Sequence, residues 1–355
     1  MWIDRLEVEI LKWQPYDSIY VDKMTQPKLT FFCELPKDRL LSALSDDEVI
    51  CNLKKLNASL SIGLLDLSVE RAEVIKMLNK AGIPVIAWLL LPEEEGYWFN
   101  KNNSNKATLF YDKFRDWTCV NDLVWARIGL DVEFDLNIQK QFKASFSHGI
   151  TTLYKNNIRS NQTDSALFNY HLLIQKIHQD NYIVESYQFP YIVDERKTGS
   201  KLLQKILGVL DLKTDYEILM LYSSFMRSIS PGTLLNYAKD AQGIGIGSTG
   251  GGVEFLSHIP ALNWNEFQRD LILAKQQHKD IYIFSLEGCV ENGFLPKLIN
   301  FDWNLPIDYS KTNYLFVKIL RAILQFSLWS IAHPIPLLFF LMVLILIIFI
   351  SRQLL

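Results

Sequence analysis

The chain is short of the residues that staple or metallate small folds. Its four cysteines, Cys33, Cys51, Cys119 and Cys289, are scattered through 355 residues with no Cys-x-x-Cys pair and no metal-ligand spacing. A disulfide scaffold and a structural zinc site are therefore excluded, and reduced thiols are expected. Histidine is scarce as well. Of the six, His171 and His178 lie seven apart with no third ligand at metal spacing, and only His258 falls where it could reach a site. No Ser/His/Asp or Cys/His nucleophile arrangement stands out. Positive charge is not in excess: the net charge of −3 gives no electrostatic basis for binding nucleic acid. The first 21 residues carry Asp4, Glu7, Glu9 and Lys12 where a signal peptide needs an apolar core, so no secretory leader is expected.

What the chain does have is apolar residues, 49% of the total, enough to bury one large core. They fall into eight runs that alternate with helical patterns. The runs are Leu29 to Leu35, Leu60 to Asp66, Ile83 to Leu91, Val124 to Phe134, Tyr182 to Tyr187, Tyr216 to Tyr222, Gly243 to Ser248 and Ile281 to Glu287. Strict alternation implies parallel strands joined by right-handed crossovers, and eight is the number that closes a barrel. The expected fold class is α/β, a (β/α)8 TIM barrel of the usual ~250 residues, with a C-terminal transmembrane helix. The expected domains are a lead-in over 1–25, the barrel over 26–300, a linker with an amphipathic interfacial helix over 301–333, and a membrane anchor over 334–355.

In such barrels the carboxyl ends of the strands build the site. The acidic residues at those ends are Glu34, Asp66, Glu93 to Glu95, Asp131, Glu133, Asp135, Glu185 and Glu287. At a two-residue period Arg127, Gly129, Asp131, Glu133 and Asp135 share one face of the fourth strand. Converging carboxylates raise one another's pKa, the condition for a general acid at neutral pH. Glycoside cleavage by a carboxyl pair and chemistry on a Mg²⁺-type site both suit such a set. Tyr97, Trp98 and Phe99 beside them fit either a sugar-stacking platform or a loop folded back on the rim. Gly245-Ile-Gly-Ser-Thr-Gly250 formally matches G-x-G-x-x-G but lies in the seventh unit, so no dinucleotide and no other cofactor is expected. Loops after strands 7 and 8 often bind phosphate, which keeps Ser248 to Gly252 open for a phosphate-containing substrate.

Gly129-Leu-Asp-Val-Glu-Phe-Asp135 resembles the fourth-strand signature Gly-x-Asp-x-Asp-x-Glu of family 18 glycoside hydrolases, and Met220-Leu-Tyr222 resembles that family's sixth-strand Met-x-Tyr. The resemblance places Asp131 on the first aspartate, Glu133 on the second and Asp135 on the acid. Aspartate thus stands where the family has glutamate, and Ser223 stands where the family has the acid after the tyrosine. The expected catalytic set is Glu133 and Glu287, with Asp131, Asp135 and Tyr222. Glu34, Asp66, Glu93, Tyr97, Trp98, Glu185 and Ser248 are expected to bind substrate, without a metal. The partners this implies are a glycan or glycolipid and the lipid bilayer. The alternative is a barrel that has lost catalysis and serves as a membrane-bound binding or scaffolding module.

Leu337 to Ile350 is fourteen consecutive apolar residues. A span normally needs ~20, with ~17 as a lower limit, so Ile331, Ala332 and Ile335 would have to be recruited. Upstream, Lys318, Arg321 and Gln325 share one helical face of an otherwise apolar stretch, the pattern of a helix lying in the membrane interface. With Lys311, Lys318 and Arg321 before the span and only Arg352 after it, the positive-inside rule expects a cytoplasmic barrel on a single-pass anchor.

Overall fold

Each of the eight apolar runs forms a short parallel strand, and the first pairs with the last to close the sheet. The computed structural model describes residues 26–136, 139–140, 162–252, 259–277, 279–307, 309–336, 338 and 342. The strands are β1 Leu29–Cys33, β2 Ser59–Leu64, β3 Val85–Leu89, β4 Arg127–Asp131, β5 Val184–Gln188, β6 Tyr216–Met220, β7 Gly243–Gly247 and β8 Asp280–Phe284. Both faces are covered, which is why the strands read as near-continuous apolar runs. Leu29, Phe31, Leu60, Ile62 and their counterparts point out to the helices. Phe32, Trp88, Tyr187, Ile218, Met220 and Tyr282 fill the bore.

The floor of the bore is polar. Buried Glu185 accepts from the hydroxyls of Tyr187 and Tyr282, each at 2.8 Å, and pairs with Arg127 Nη1 at 3.1 Å. Gly129 makes this possible, because a β-carbon there would collide with the Tyr187 hydroxyl.

The helices that bear on the site are α1 Lys37–Leu44, α2 Asp47–Lys55, α3 Val69–Lys80, α4 Ser104–Val120, α5 Gln162–Gln179, α6 Tyr191–Thr198, α7 Leu202–Leu207, α8 Ser230–Tyr237, α9 Trp264–Lys275, α10 Leu286–Glu291, α11 Leu295–Ile299 and α12 Lys311–Ala332. The segment between β1 and β2 forms two helices, because the Asp46 side chain accepts from Glu48 N–H and caps a new start. Strand 8 ends at Phe284, where Ser285 caps α10, so Glu287 sits in the first turn of a helix and not at a strand end.

Helix α12 is long and apolar enough to cross a membrane by length and composition. It is instead docked on the barrel through Val317, Arg321 and Leu328, against α6 and α8. Arg321 Nε meets Asp194 Oδ1 and Nη2 meets Asp240 Oδ2, each at 2.7 Å, with the guanidinium 3.9 Å from the Tyr237 ring centre. Of the polar face formed by Lys318, Arg321 and Gln325, Arg321 and Gln325 thus hold to the barrel, while Lys318 is exposed. The lead-in over 1–25, His258 and most of the anchor over 334–355 lie outside the described residues.

Candidate active site

A cavity of about 460 Å³ opens at the carboxyl ends of the strands. Glu34, Asp131, Glu133 and Glu287 enter it, between walls formed by Phe32, Trp88, Trp98, Tyr222 and Phe284. Asp131 is the last residue of β4, and Trp88 Nε1–H on β3 donates to its Oδ2 at 3.1 Å. Glu34 follows β1 and accepts a short hydrogen bond from the Tyr97 hydroxyl. Its own N–H donates to Glu287 Oε1 at 3.3 Å, which ties the first strand's exit to α10.

Two carboxylate oxygens remain over. Among the described residues, Asp131 Oδ1 and Glu287 Oε2 are buried with no hydrogen-bond partner, although both belong to residues lining the cavity. Buried polar atoms are nearly always paired, so such atoms mark where a ligand group belongs.

Burial raises the whole set. Glu34 is pushed up to about 8, first by burial and then by the charges of Glu287 and Asp131, against the Tyr97 hydrogen bond that lowers it. Glu287 reaches about 7 through burial, held back by backbone N–H groups and Ser285. Asp131 and Glu133 are a tightly coupled pair, both raised by burial, Asp131 further by Glu133 and Glu133 by Glu34. At neutral pH some of these carboxyls keep their protons, so the site holds donor and acceptor together.

These shifts carry a stability consequence. Glu34 and Glu287 ordinarily titrate near 4.5 and here near 8 and 7, so between those limits the folded chain holds more protons than the unfolded one. Stability must then fall as pH rises. Thermal unfolding followed by circular dichroism is expected to show a lower midpoint at about pH 9 than at about pH 6, and Glu34→Gln should flatten that slope. A midpoint that climbs over this range would contradict the buried-carboxyl reading.

The other residues singled out in the sequence divide. Ser248 lines the cavity, at the start of a loop in which Gly250, Gly251 and Gly252 all have positive φ. A β-carbon at Gly251 would stand 2.5 Å from Glu287 Cγ, so only glycine lets the backbone pass over that carboxylate. Trp98 lines the cavity, edge-on to Tyr97 with ring centres 5.2 Å apart. Tyr97 is not a platform; it is buried and holds Glu34. Phe99 is buried away from the site, against Tyr170.

Four expected site carboxylates lie elsewhere. Asp66 pairs with Arg71 at 2.8 Å and accepts from Ser68, bracing the turn into α3. Glu93 is on the rim, paired with Lys140 at 2.7 Å. Glu185 is in the floor, since it registers with Gly129 while Tyr187 above it registers with Asp131. Asp135 does not line the cavity; its Oδ2 lies beside Gly96, 3.0 Å from where a β-carbon there would sit. β4 ends at Asp131, so the two-residue period that put Asp135 on the same face no longer holds beyond it. Trp88, inside the third apolar run and part of the bore core, carries no sequence signal for the site, yet its indole N–H donates to Asp131. Among the described residues no three His, Cys, Asp or Glu side chains are grouped to hold a metal ion.

No protein-family model and no curated protein sequence matches the chain. Solved structures do match. The glycoside hydrolase domain of PgaB (BpsB) from Bordetella bronchiseptica is 8% identical, over 77% of this chain and 98% of that one, with a TM-score of 0.46. A GH18 chitinase from Pseudoalteromonas aurantia is 11% identical over 77% and 99%, also at 0.46. The chain is distantly similar to glycoside hydrolase barrels. An E. coli 3-keto-D-glucoside 4-epimerase is matched almost as well, at 10% identity over 77% and 99% with a TM-score of 0.44. Likeness at this distance reflects a shared barrel, and the chemistry has to come from the side chains.

Proposed function

We propose that the barrel cleaves O-glycosidic bonds of a glycan or glycolipid, with Glu133 and Glu287 as the working pair. The observation that carries this reading is the pair of unpartnered buried oxygens, Asp131 Oδ1 and Glu287 Oε2, in an aromatic-walled cavity. Glu133, raised by burial and by the Glu34 charge, is suited to protonate the leaving oxygen. Glu287 is raised least among the carboxyls with a stated value and is steadied by N–H groups, so it is the carboxylate that supports the reacting sugar carbon or activates water. Asp131 and the buried Tyr222 hydroxyl hold the sugar's substituents beside this pair. A phosphate-containing substrate fits less well, because the carboxylates of the cavity would repel it even with Ser248 and the glycine loop present.

One observation favours a second reading. Asp135, the residue on the family's acid position, lies off the cavity, which suits a barrel that holds a glycan without cutting it. The full chain tested against aryl glycosides and native oligosaccharides separates the two. Turnover supports hydrolysis, binding by calorimetry without turnover supports the binding module, and neither result in any sugar class would overturn both. Trp98→Ala should weaken sugar binding about tenfold, the worth of roughly 1.4 kcal/mol from a lost aromatic face. A fall in melting temperature with unchanged binding would instead make Trp98 a packing residue.

The reading includes attachment to a membrane through residues 334–355, where the fourteen apolar residues from Leu337 to Ile350 would be costly to leave in water. Arg321 is neutralised by its barrel carboxylates, which leaves Lys311 and Lys318 before the run and Arg352 after it. By the positive-inside rule that balance favours a cytoplasmic barrel. Protease protection in sealed vesicles of known orientation tests the side.

A further inference from the structure

The two faces of α12 are the reverse of what a surface helix shows. Arg321 and Gln325 point at the barrel, where Gln325 Nε2 donates to Asp194 Oδ1 at 2.7 Å, while Lys318 is exposed on the flank. The opposite face is apolar and uncovered: Leu315, Phe316, Ile319, Leu320, Ile323 and Phe326 are each 43% to 61% exposed. At 100° per residue five of these fall on the side of the helix away from Val317, Arg321 and Leu328, with Leu320 on the flank, and no charged residue interrupts them. An uncharged stripe of this kind marks an interaction surface.

The chain itself names the occupant. Fourteen apolar residues begin five positions after α12 ends, and on the attachment proposed above they enter lipid. A helix feeding directly into such a segment is held at the bilayer surface. Its course along the barrel is fixed at both ends. Asn313 Nδ2 donates to the Ser228 carbonyl at 2.7 Å, three residues beyond Phe225 of the cavity wall. At the other end His333 packs by Gly199, the C-terminal cap of α6. Helices after barrel strands run back toward the strands' amino ends, so α12 runs from the mouth of the barrel to its base.

We propose that α12 is the barrel's seat on the bilayer, its uncovered apolar face sunk in lipid and the barrel lying on its side, with the cavity edge at Phe225 and Met226 level with the membrane surface. This rests on the membrane attachment proposed above and adds an orientation to it. The cavity then opens along the membrane plane. Phe225 of the cavity wall and the adjacent Met226, both about half exposed, then form an apolar sill on that side.

The test uses the full chain in phosphatidylcholine vesicles with and without brominated acyl chains. A bimane label is placed at Ile319→Cys, Phe326→Cys or Met226→Cys in a background with Cys51→Ser and Cys119→Ser. The control label is on native Cys51 in a Cys119→Ser chain, because Cys51 is exposed on α2, four strands round the barrel from α6. Cys33 and Cys289 are buried. Expected is strong quenching by bromine at 319 and 326, weaker quenching at 226 and none at 51. Quenching absent at 319 and 326 in a vesicle-bound chain overturns the seat while sparing the anchor, and this includes labels shielded equally in detergent by a second copy or by residues 337–350. Quenching at 319 and 326 without any at 226 overturns the sideways orientation. A chain that remains in the supernatant after centrifugation overturns the attachment and the seat together.

Discussion

Glu133→Gln and Glu287→Gln should each lower turnover at least about 100-fold, the usual loss when a positioned acid or base is removed. Each substitution keeps the side chain's volume and removes only its capacity to carry a proton. The two need not behave alike in stability. Both carboxyls are raised by burial, so both are easier to hold neutral than charged, and a neutral amide should be tolerated or slightly stabilising above about pH 7. Activity lost while the melting temperature is kept or raised is therefore the signature sought. Should both variants turn over an identified substrate at the wild-type rate, the pair is misassigned. Asp135→Asn supplies a contrast: lying off the cavity, it should change turnover by less than about threefold.

The second large effect concerns stability. Arg321→Met should destabilise the barrel by about 3–5 kcal/mol, the range found when one partner of a buried ion pair is removed. Asp194 is fully buried and accepts from Arg321, Gln325 and the Tyr237 hydroxyl, so the variant strands a carboxylate with two neutral donors. The double variant Arg321→Met/Asp194→Asn should recover part of the loss, because it removes the stranded charge. A cost below about 1 kcal/mol in urea unfolding would show that α12 is not held on the barrel by this cluster.

How far the sequence could be read depended on what each residue answers to. Strands were legible because burial on both faces writes itself as unbroken apolar runs, and the eight of them fixed the barrel. Their ends were not. β4 stops at Asp131, and beyond it the alternation that grouped Asp131, Glu133 and Asp135 no longer applies, so two of the three reach the cavity and one does not. Glu287 was found on the right premise, an acid after the last strand, but the turn at Ser285 moves it onto a helix. Glu34 stands one residue past β1 and keeps the inward parity of Phe32, whereas Asp66 stands two residues past β2 and turns to the other face, where Arg71, five residues on, claims it. Tyr97 and Trp98 are adjacent and aromatic, yet one braces an acid and the other faces the cavity, a choice made by the positive φ of Tyr97. For Arg321 the helical periodicity was sound and its inference inverted, because its partners Asp194 and Asp240 lie more than eighty residues away.

The glycine wall over Glu287 has a consequence for how this site could change over generations. At Gly250, Gly251 and Gly252 the cavity is bounded by peptide groups with no side chain attached, and at Gly251 and Gly252 an added methyl would press on Glu287, Ser285 or Phe284. Whatever touches that side is met by amide N–H and carbonyl oxygen, which are the same in any sequence that keeps the glycines. New preferences for substrate must then be acquired on the rest of the wall, at side chains such as Trp98, Phe225 and Met220. One half of the pocket is a constant and the other is a variable.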